Sequence, residues 1–373
     1  MRPIAALLLL PTLSFAAEVE RVWYSYSKAD ASRITVSWET KEPEVSRIQY
    51  GAATVPQVMT VDGERTRHAI EIPSPPKGVS WDCLIGKDGA SRARIKGIPD
   101  GELRIAVVGD WGYAPDADLS ALLKDDVHLL LTAGDNVPSL HKKGNEGANA
   151  YRALIDRHPE IFRNIPFMPV LGNHDHEIKP RGKQPPAEPV YDISAEVYRD
   201  FFTLPDDEWK WDLRIGSHDL HLLALDINHI HDRGTTWESC HPWDAESEQF
   251  RWFRDTVDQS RGGFVIAVNN EKQTALKAKA GGIWDDQFHK ISALVTGFGY
   301  FADRAELKEG IPYFNTCLKF GGTLYPDPQS VFFAPESSYL LLTIPSGAKE
   351  ATAQLKDLEG KVMDTRMIQK LSR

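Results

Sequence analysis

The chain has 373 residues, of which 42% are hydrophobic, so it can bury a large core and is long enough for more than one domain. It carries 43 basic and 53 acidic residues, a formal net charge of −10. Because binding to nucleic-acid phosphates needs an excess of Lys and Arg, this balance argues against a nucleic-acid-binding protein.

Residues 1–16 have the pattern of an export signal. Arg2 supplies a positive charge, "IAALLLL" is an apolar segment too short to span a bilayer, and Ser14 and Ala16 fit the small-residue rule for cleavage. We therefore expect cleavage after Ala16 and a secreted or periplasmic protein. The alternative is that this segment forms a short buried strand. No other stretch is long and apolar enough to predict a membrane span.

Residues 18–100 predict a β-sandwich domain. Short runs such as "SRITVSWET" and "HAIEI" are rich in β-branched and aromatic residues, alternate with polar positions, and are separated by turn residues. The three cysteines of the chain, Cys83, Cys240 and Cys317, are scattered and match no zinc pattern. They allow at most one disulfide, and we interpret them as buried free thiols.

Residues 101–373 predict a second domain of the α/β class. "LRIAVVGDWG", "VHLLLTAGDN" and "IPFMPVLGNHD" indicate buried strands, and helical patterns lie between them. Strands that alternate with helices favour a parallel sheet. "WKWDLRIGSHDLHLLALDIN" predicts a hairpin, "ESEQFRWFRDTVDQ" an amphipathic helix, "GGFVIAVNN" and "ISALVTGFG" two further buried strands, and the tail after about residue 310 returns to a β pattern.

Three of these strands end in Gly followed by a polar residue: Gly109-Asp110, Gly134-Asp135 and Gly172-Asn173. The glycine permits the tight turn that directs the next side chain across the sheet edge. Functional sites of parallel sheets form at the carboxyl ends of the strands. Oxygen ligands converging there suit a pair of metal ions, which can clamp the attacking and leaving oxygens of a phosphoryl ester.

With these motifs in order, the chain resembles the calcineurin-like metallophosphoesterases, and within them the purple-acid-phosphatase-like branch. "VVGDWGY", "AGDNV" and "VLGNHD" resemble the first three motifs of the family. "ITVSW" and "IQYG" resemble the fibronectin-type domain that precedes the catalytic domain in longer members. The resemblance implies a four-layer α/β/β/α domain, a binuclear centre of divalent or Fe/Zn-type metals, and small phosphate esters as substrates.

The resemblance also implies roles for five residues. Asp110 would ligate the first metal, Asp135 would bridge both, and Asn173 would ligate the second. His174 would act on the phosphoryl group or the leaving oxygen as a catalytic residue. Asp175 would orient His174.

The remaining ligand positions of the family are not matched. Pro138 stands where coloured members have a Tyr, and Gly112 where other branches have a His; Asn269 and Asn270 end the strand that should end in His. Phe298 and Tyr300 occupy the two positions of the last Gly-His-x-His motif. Tight transition-metal sites need about four donors, with imidazole or thiolate among them.

Two substitute ligand sets are open. In the first, Tyr300 together with either Asn270 or Glu271 could complete an all-oxygen site for Mg²⁺ or Ca²⁺. His229 and His231, in "DINHIHD", form an alternative pair, although such a pair also suits an exposed loop. We interpret His218, His221 and His241 as structural or exposed, and expect His176 to face solvent at the rim.

Two functions therefore follow. In the first, the chain is an exported phosphoric-ester hydrolase with an incomplete metal site. In the second, it is a degenerate member that binds a ligand or partner without turnover. The sequence does not identify the substrate or the oligomeric state.

Overall fold

The computed structural model describes residues 18–260, 262–322 and 324–372. The predicted signal peptide, residues 1–16, lies outside the described residues. Within the described part, no helix is long and apolar enough to cross a membrane. All three cysteines are buried and free, as predicted.

The first region consists of strands only. Its five strands are β1 Val19–Tyr26, β2 Arg33–Ala52, β3 Val55–Pro73, β4 Ser80–Ile85 and β5 Ser91–Lys96. The first half of β2 pairs with β1, its second half pairs with β4, and β3 follows β2 along nearly its whole length. All five strands thus belong to one hydrogen-bonded network. A fibronectin-type sandwich stays a prediction.

The rest of the described chain alternates strands and helices. Its strands are β6 Glu102–Val108, β7 Leu129–Thr132, β8 Phe167–Met168, β9 Trp211–Ile215, β10 Leu220–Ala224, β11 Phe264–Asn269, β12 Ala293–Thr296, β13 Ala302–Glu306, β14 Pro312–Asn315, β15 Ser330–Ala334, β16 Tyr339–Pro345, β17 Glu350–Lys356 and β18 Val362–Gln369. Its α-helices are α1 Ser120–Lys124, α2 Asn149–Arg157, α3 Pro159–Phe162, α4 Asn173–His176, α5 Glu196–Phe201, α6 Glu248–Gln259, α7 Gln273–Ala280 and α8 Ile283–Phe288.

These strands form two sheets. One has six strands in the order β18-β17-β16-β6-β7-β8, and the other has seven in the order β15-β13-β14-β12-β11-β10-β9. The pairs β6–β7 and β7–β8 are parallel, as predicted, but β6–β16, β16–β17 and β17–β18 are antiparallel, so the six-stranded sheet is mixed. The predicted hairpin is the antiparallel pair β9–β10. Strand β8 has only two residues, because Pro169 follows it and has no N–H for the ladder.

Side chains of the seven-stranded sheet are buried on both faces. Leu222, Ile266 and Val295 belong to a large core shared with the six-stranded sheet and the first region. Their neighbours Leu223 and Val265 belong to a second core that includes residues of α6, α7 and α8. Burial on both faces explains why β10, β11 and β12 are nearly continuous apolar runs. A four-layer order stays a prediction.

Candidate functional site

The carboxyl ends of β6, β7 and β8 lie at one edge of the six-stranded sheet. Asp110 and Asp135 follow their strand-ending glycines in left-handed backbone conformations, each with φ 51°. Such conformations are uncommon for residues other than glycine and cluster at functional sites. The chain thereby directs both carboxylates away from the strands that precede them.

The glycines at this edge permit close contacts between chain segments. A Cβ on Gly172 would lie 2.2 Å from the amide nitrogen of Asp135. A Cβ on Gly109 would lie 2.2 Å from the carbonyl oxygen of Thr316 and 2.6 Å from the Cα of Gly297. Gly109 follows β6 and Gly297 follows β12, so the ends of the two sheets meet here.

A cavity of about 310 Å³ opens at this meeting point. It is lined by Asp110, Tyr113, Asp135, Asn173, His229, Asn270, Phe298, Gly299, Tyr300 and Tyr325. The structure thus brings together the three predicted metal ligands and three of the substitute residues, Asn270, Tyr300 and His229. Neither His174 nor Asp175 is among the described residues that line the cavity.

Asp110 is buried, and its carboxylate accepts hydrogen bonds from neighbouring side chains of the protein. The Cys317 thiol donates to its Oδ2 over 3.5 Å, and the Asn270 amide also donates to it. Burial, together with the neighbouring charge of Asp135, raises the pKa of Asp110 well above its usual range. The oxygen Oδ1 of Asp135 accepts from the backbone N–H of His174 at 3.0 Å.

Asn173 also lies at this edge, at the start of α4, and is 5% exposed. Its side chain forms a hydrogen bond with Tyr191, whose pKa burial raises to about 12. One of the predicted ligands is therefore also engaged by a neighbouring side chain.

His174 does not line the cavity, whereas its hydrogen-bond partner Tyr113 does. Its Nε2 is hydrogen-bonded to the Tyr113 hydroxyl, and its Nδ1 lies 2.7 Å from the Ser139 hydroxyl and 2.9 Å from the Pro138 carbonyl oxygen. Both ring nitrogens thus have protein partners, so the ring does not present a free nitrogen to a ligand. The catalytic role expected of His174 stays a prediction.

Asp175 is hydrogen-bonded to groups other than the His174 ring, and its expected role in orienting that ring stays a prediction. Its Oδ2 accepts from the backbone N–H groups of Gly172 and Asn136 and from the Asn136 side chain, at 3.0–3.2 Å. Its Oδ1 accepts from the Tyr151 hydroxyl. Burial and the charge of Asp135 raise the pKa of Asp175 to about 7. The residue therefore fixes the loops that carry Asp135 and Asn173.

The expectation that His176 faces solvent is also wrong. Its side chain is fully buried, with Nε2 3.2 Å from Asp226 and Nδ1 2.7 Å from the Asp192 carbonyl oxygen. The buried carboxylate of Asp226, which follows β10, pairs with the imidazole ring in the interior. Local sequence around His176 contains no trace of this partner, which lies 50 residues along the chain.

The substitute ligands do not resemble metal donors in this arrangement. The Nδ2 of Asn270 donates to the Ala133 carbonyl oxygen at 2.9 Å, so the amide presents N–H groups to that carbonyl and to Asp110. Tyr300 is hydrogen-bonded to Tyr113, and burial and the charge of Asp110 raise its pKa to about 12, so its phenol stays protonated. His229 lines the cavity, whereas His231 is exposed.

The donor set therefore does not fit the binuclear centre that the resemblance implies. Within residues 18–260, 262–322 and 324–372, no three His, Cys, Asp or Glu side chains are grouped so that they could hold a metal ion. Phe298 offers no lone pair. Asn270 supplies a hydrogen-bond donor at the place where a ligand is needed.

The sequence analysis did not assign four residues to the site: Tyr113, Cys317, Lys319 and Tyr325. The Lys319 ammonium lies 4.8 Å from the ring centre of Tyr300 and 5.3 Å from that of Tyr113. Tyr113 could have been found, because it closes the "VVGDWGY" motif. Cys317 and Lys319 follow β14, more than 200 residues after Asp110, and no pattern in the sequence links them to it.

Comparisons with known proteins agree with this architecture. The profile of the calcineurin-like phosphoesterases matches residues 103–304, more than half of the chain. The solved structure of purple acid phosphatase PPD1 from yellow lupin (Lupinus luteus) seeds superposes with a TM-score of 0.69 at 12% identity, over 95% of this chain and 74% of that one. At this identity the likeness shows the fold alone.

Two further structures give weaker matches. GAP50, the anchor in the inner membrane complex of Plasmodium, has a TM-score of 0.47 at 12% identity, over 72% of this chain and 89% of that one. A dimetal phosphatase from Danio rerio has a TM-score of 0.46 at 9% identity, over 72% and 98%. No curated protein matches the chain.

Proposed function

The chain belongs to the calcineurin-like phosphoesterase family, and from that premise we propose that it is a ligand-binding member that does not carry out the family's metal-dependent hydrolysis. The family typically relies on two metal ions. Here the cavity is retained, while the residues around its carboxylates are those of a metal-free binding site.

One observation carries this proposal: the amide of Asn270 donates to Asp110 and to the Ala133 carbonyl oxygen. A metal ligand must direct a lone pair at the ion, whereas this amide directs N–H groups at the carboxylate. The Cys317 thiol donates to the same carboxylate. Asp110 is therefore stabilised by hydrogen bonds at the position where the family uses a cation.

The electrostatics of the cavity favour a neutral or cationic ligand over a free phosphate. Asp110 and Asp135 are 3% and 5% exposed, and burial together with the charge of Asp135 raises the pKa of Asp110, so the pair carries fewer than two negative charges; the charge on Asp135 disfavours an anion. The rings of Tyr113, Phe298 and Tyr300 line the cavity and offer apolar surface and cation–π contacts. A small organic molecule with an amine or hydroxyl group and an apolar portion suits these walls.

A phosphoric-ester hydrolase with an altered metal site is the second candidate. Its support is that Asp110, Asp135 and Asn173 line a single cavity, as the resemblance requires. In that case Asn270 must turn its oxygen toward the cavity and give up its bond to Ala133.

The finer architecture and the location are also proposals. The five strands of residues 19–96 support a fibronectin-type domain, and the two sheets with helices support a four-layer catalytic domain. The charge and apolar pattern of residues 1–16 support export to the periplasm or the medium.

The test is to purify the chain after growth with Fe, Zn, Mn or Mg supplied and to measure bound metal and hydrolysis of 4-nitrophenyl phosphate. We expect substoichiometric metal and no turnover above that of the Asp135→Ala variant. Stoichiometric metal, together with turnover that Asp135→Ala abolishes, would show that the second candidate function, the hydrolase, is the correct one. Thermal-shift measurements with inorganic phosphate and with alkylammonium salts then test the ligand preference.

A further inference from the structure

A second cavity, of about 290 Å³, lies at the amino end of β10, whereas the first cavity follows the carboxyl ends of the strands. Its lining includes Arg214, His221, Gln259 and Ser260. None of these residues lines the first cavity. The sequence analysis treated His221 as structural or exposed; the structure gives its side chain three hydrogen-bond partners, Ser260, Asp212 and Arg214.

Three side chains form a hydrogen-bonded chain beside this cavity. The hydroxyl of Ser260 lies 2.8 Å from Nδ1 of His221, and Nε2 of His221 lies 2.5 Å from Oδ2 of Asp212. Ser260 and His221 line the cavity, while Asp212 lies behind them and is 4% exposed. This is the arrangement of a nucleophile, a base and a residue that orients the base.

The fold fixes each member of this chain. His221 and Asp212 lie on the antiparallel strands β10 and β9, where Leu223 pairs with Asp212 and His221 with Arg214. Ser260 follows α6, and its hydroxyl donates to the Thr256 carbonyl oxygen, 2.9 Å away in the last turn of that helix. The helix end thus holds the serine oxygen beside the imidazole, and the hydroxyl proton must turn from Thr256 to Nδ1 of His221 before the serine can react.

Charge defines which nitrogen of His221 acts as the base. Burial opposes ionisation of Asp212, but hydrogen bonds from His221 and Asp206 and the charge of Arg214 outweigh it and lower the pKa of Asp212. Nε2 of His221 lies 3.3 Å from the Nε of Arg214 but only 2.5 Å from Asp212. The closer, ionised Asp212 accepts the proton on Nε2, which leaves the lone pair of Nδ1 facing the serine hydroxyl.

We propose that Ser260 and His221 form a second, metal-free catalytic site that hydrolyses small carboxylic esters, with Asp212 as the positioning residue. The Nε of Arg214 lies 2.9 Å from Asp212, and its side chain is 56% exposed at the cavity. The guanidinium therefore has N–H groups available to stabilise the negative oxygen that forms on an ester carbonyl.

The reaction balances with water as the only other reactant. The Ser260 oxygen bonds to the ester carbonyl carbon while its proton moves to Nδ1 of His221. The bond to the leaving oxygen breaks, and His221 returns the proton to it, so an alcohol departs and an acyl-serine remains. Water then repeats the two proton transfers, which releases the carboxylic acid and restores the serine.

The experiment labels the full chain with a fluorophosphonate, locates the label by peptide mass mapping, and measures hydrolysis of 4-nitrophenyl acetate. We expect the label on Ser260 and a loss of hydrolysis of about 10²–10⁴-fold in Ser260→Ala and His221→Gln. Far-UV circular dichroism and the melting temperature verify that both variants fold. Asp212→Asn should lower the apparent pKa in the pH–rate profile, because His221 loses its anionic partner.

Ser217 provides a matched control. Its hydroxyl lies 3.0 Å from Nδ1 of His218, but the other nitrogen of that ring faces the Gly101 carbonyl oxygen and not a carboxylate. Ser217→Ala should leave labelling and hydrolysis unchanged. The proposal is overturned if Ser260 takes no label, or if a folded Ser260→Ala protein hydrolyses the ester at the rate of the unaltered chain.

Discussion

His176 and Asp226 form a fully buried ion pair, with Nε2 3.2 Å from Oδ1. Burial opposes charge on the imidazole, but the charge of Asp226 and the hydrogen bonds outweigh it and raise the pKa of His176 to about 9. Interactions with His176 and His241 similarly outweigh burial for Asp226 and hold its pKa well below its usual range. The pair connects the last residue of α4 to the segment that follows β10.

We expect His176→Gln to lower the free energy of unfolding by about 3–5 kcal/mol, because it leaves a buried charge without its partner. The pKa of His176 is raised on folding, so its contribution is complete below about pH 6.5 and is lost as the pH rises through 9. Urea unfolding at pH 6 and pH 9 measures this. His231→Gln, at an exposed position, is the control. Equal losses at both pH values would contradict the ion pair.

Asp175→Ala should destabilise the fold by about 3 kcal/mol or more. The change removes the acceptor for two backbone N–H groups, the Asn136 amide and the Tyr151 hydroxyl, all in the interior. Chemical denaturation measures the loss, and the exposed Asp88→Ala is the control. A variant of unchanged stability would show that Asp175 is not a structural acceptor.

Asp110→Asn should stabilise the metal-free protein at pH 7, by about 1–3 kcal/mol. The folded protein raises the pKa of Asp110, so this residue favours folding at low pH and opposes it as the pH rises. The neutral amide of the variant removes this destabilisation, so the gain in stability over the unaltered chain should vanish near pH 4. Melting temperatures at pH 4 and 7 provide the comparison, with Asp88→Asn as the control. A large destabilisation at pH 7 would indicate that a bound cation depends on Asp110.

Gly109→Ala should destabilise the protein by roughly 1–3 kcal/mol, because its Cβ would lie 2.2 Å from the Thr316 carbonyl oxygen. Gly101→Ala, at the opposite end of β6, is the control, since nothing lies within 4 Å of a Cβ there. Melting temperatures of the two variants separate crowding from backbone entropy. Equal effects would mean that the two sheets do not meet at Gly109.

Restoring imidazoles should restore metal binding. We expect Asn270→His combined with Phe298→His and Tyr300→His to raise Zn²⁺ or Mn²⁺ occupancy at least about tenfold, because each regained ligand adds affinity. Elemental analysis of the purified protein measures occupancy. Phe320→His, at a residue that is 62% exposed, is the control. If occupancy does not rise, the cavity has lost the geometry as well as the ligands.

Much of the architecture could be predicted because it depends on local patterns. The glycine-terminated strands, the β9–β10 hairpin and the helix α6 each show their periodicity or turn residues in a short stretch. The convergence of Asp110, Asp135 and Asn173 follows from the rule for parallel strand ends. These features need no knowledge of which distant segments touch.

The expectations that failed depend on partners far along the chain. Burial of His176 depends on Asp226, and the donors to Asp110 include Cys317. The contact between His174 and Tyr113 depends on side-chain conformations that the sequence does not specify. The Ser260–His221–Asp212 chain likewise joins residues of two strands and a helix end.

Strand β6, which leads to Asp110, pairs on one side with β7 and on the other with β16, where Leu340 lies opposite Val107. About 230 residues separate Val107 from Leu340 in the sequence. During synthesis the ribosome must therefore add β16 and the strands after it before the six-stranded sheet can close. Because such distant pairings make folding slow, we expect a late folding step that forms the sheet and the floor of the first cavity together.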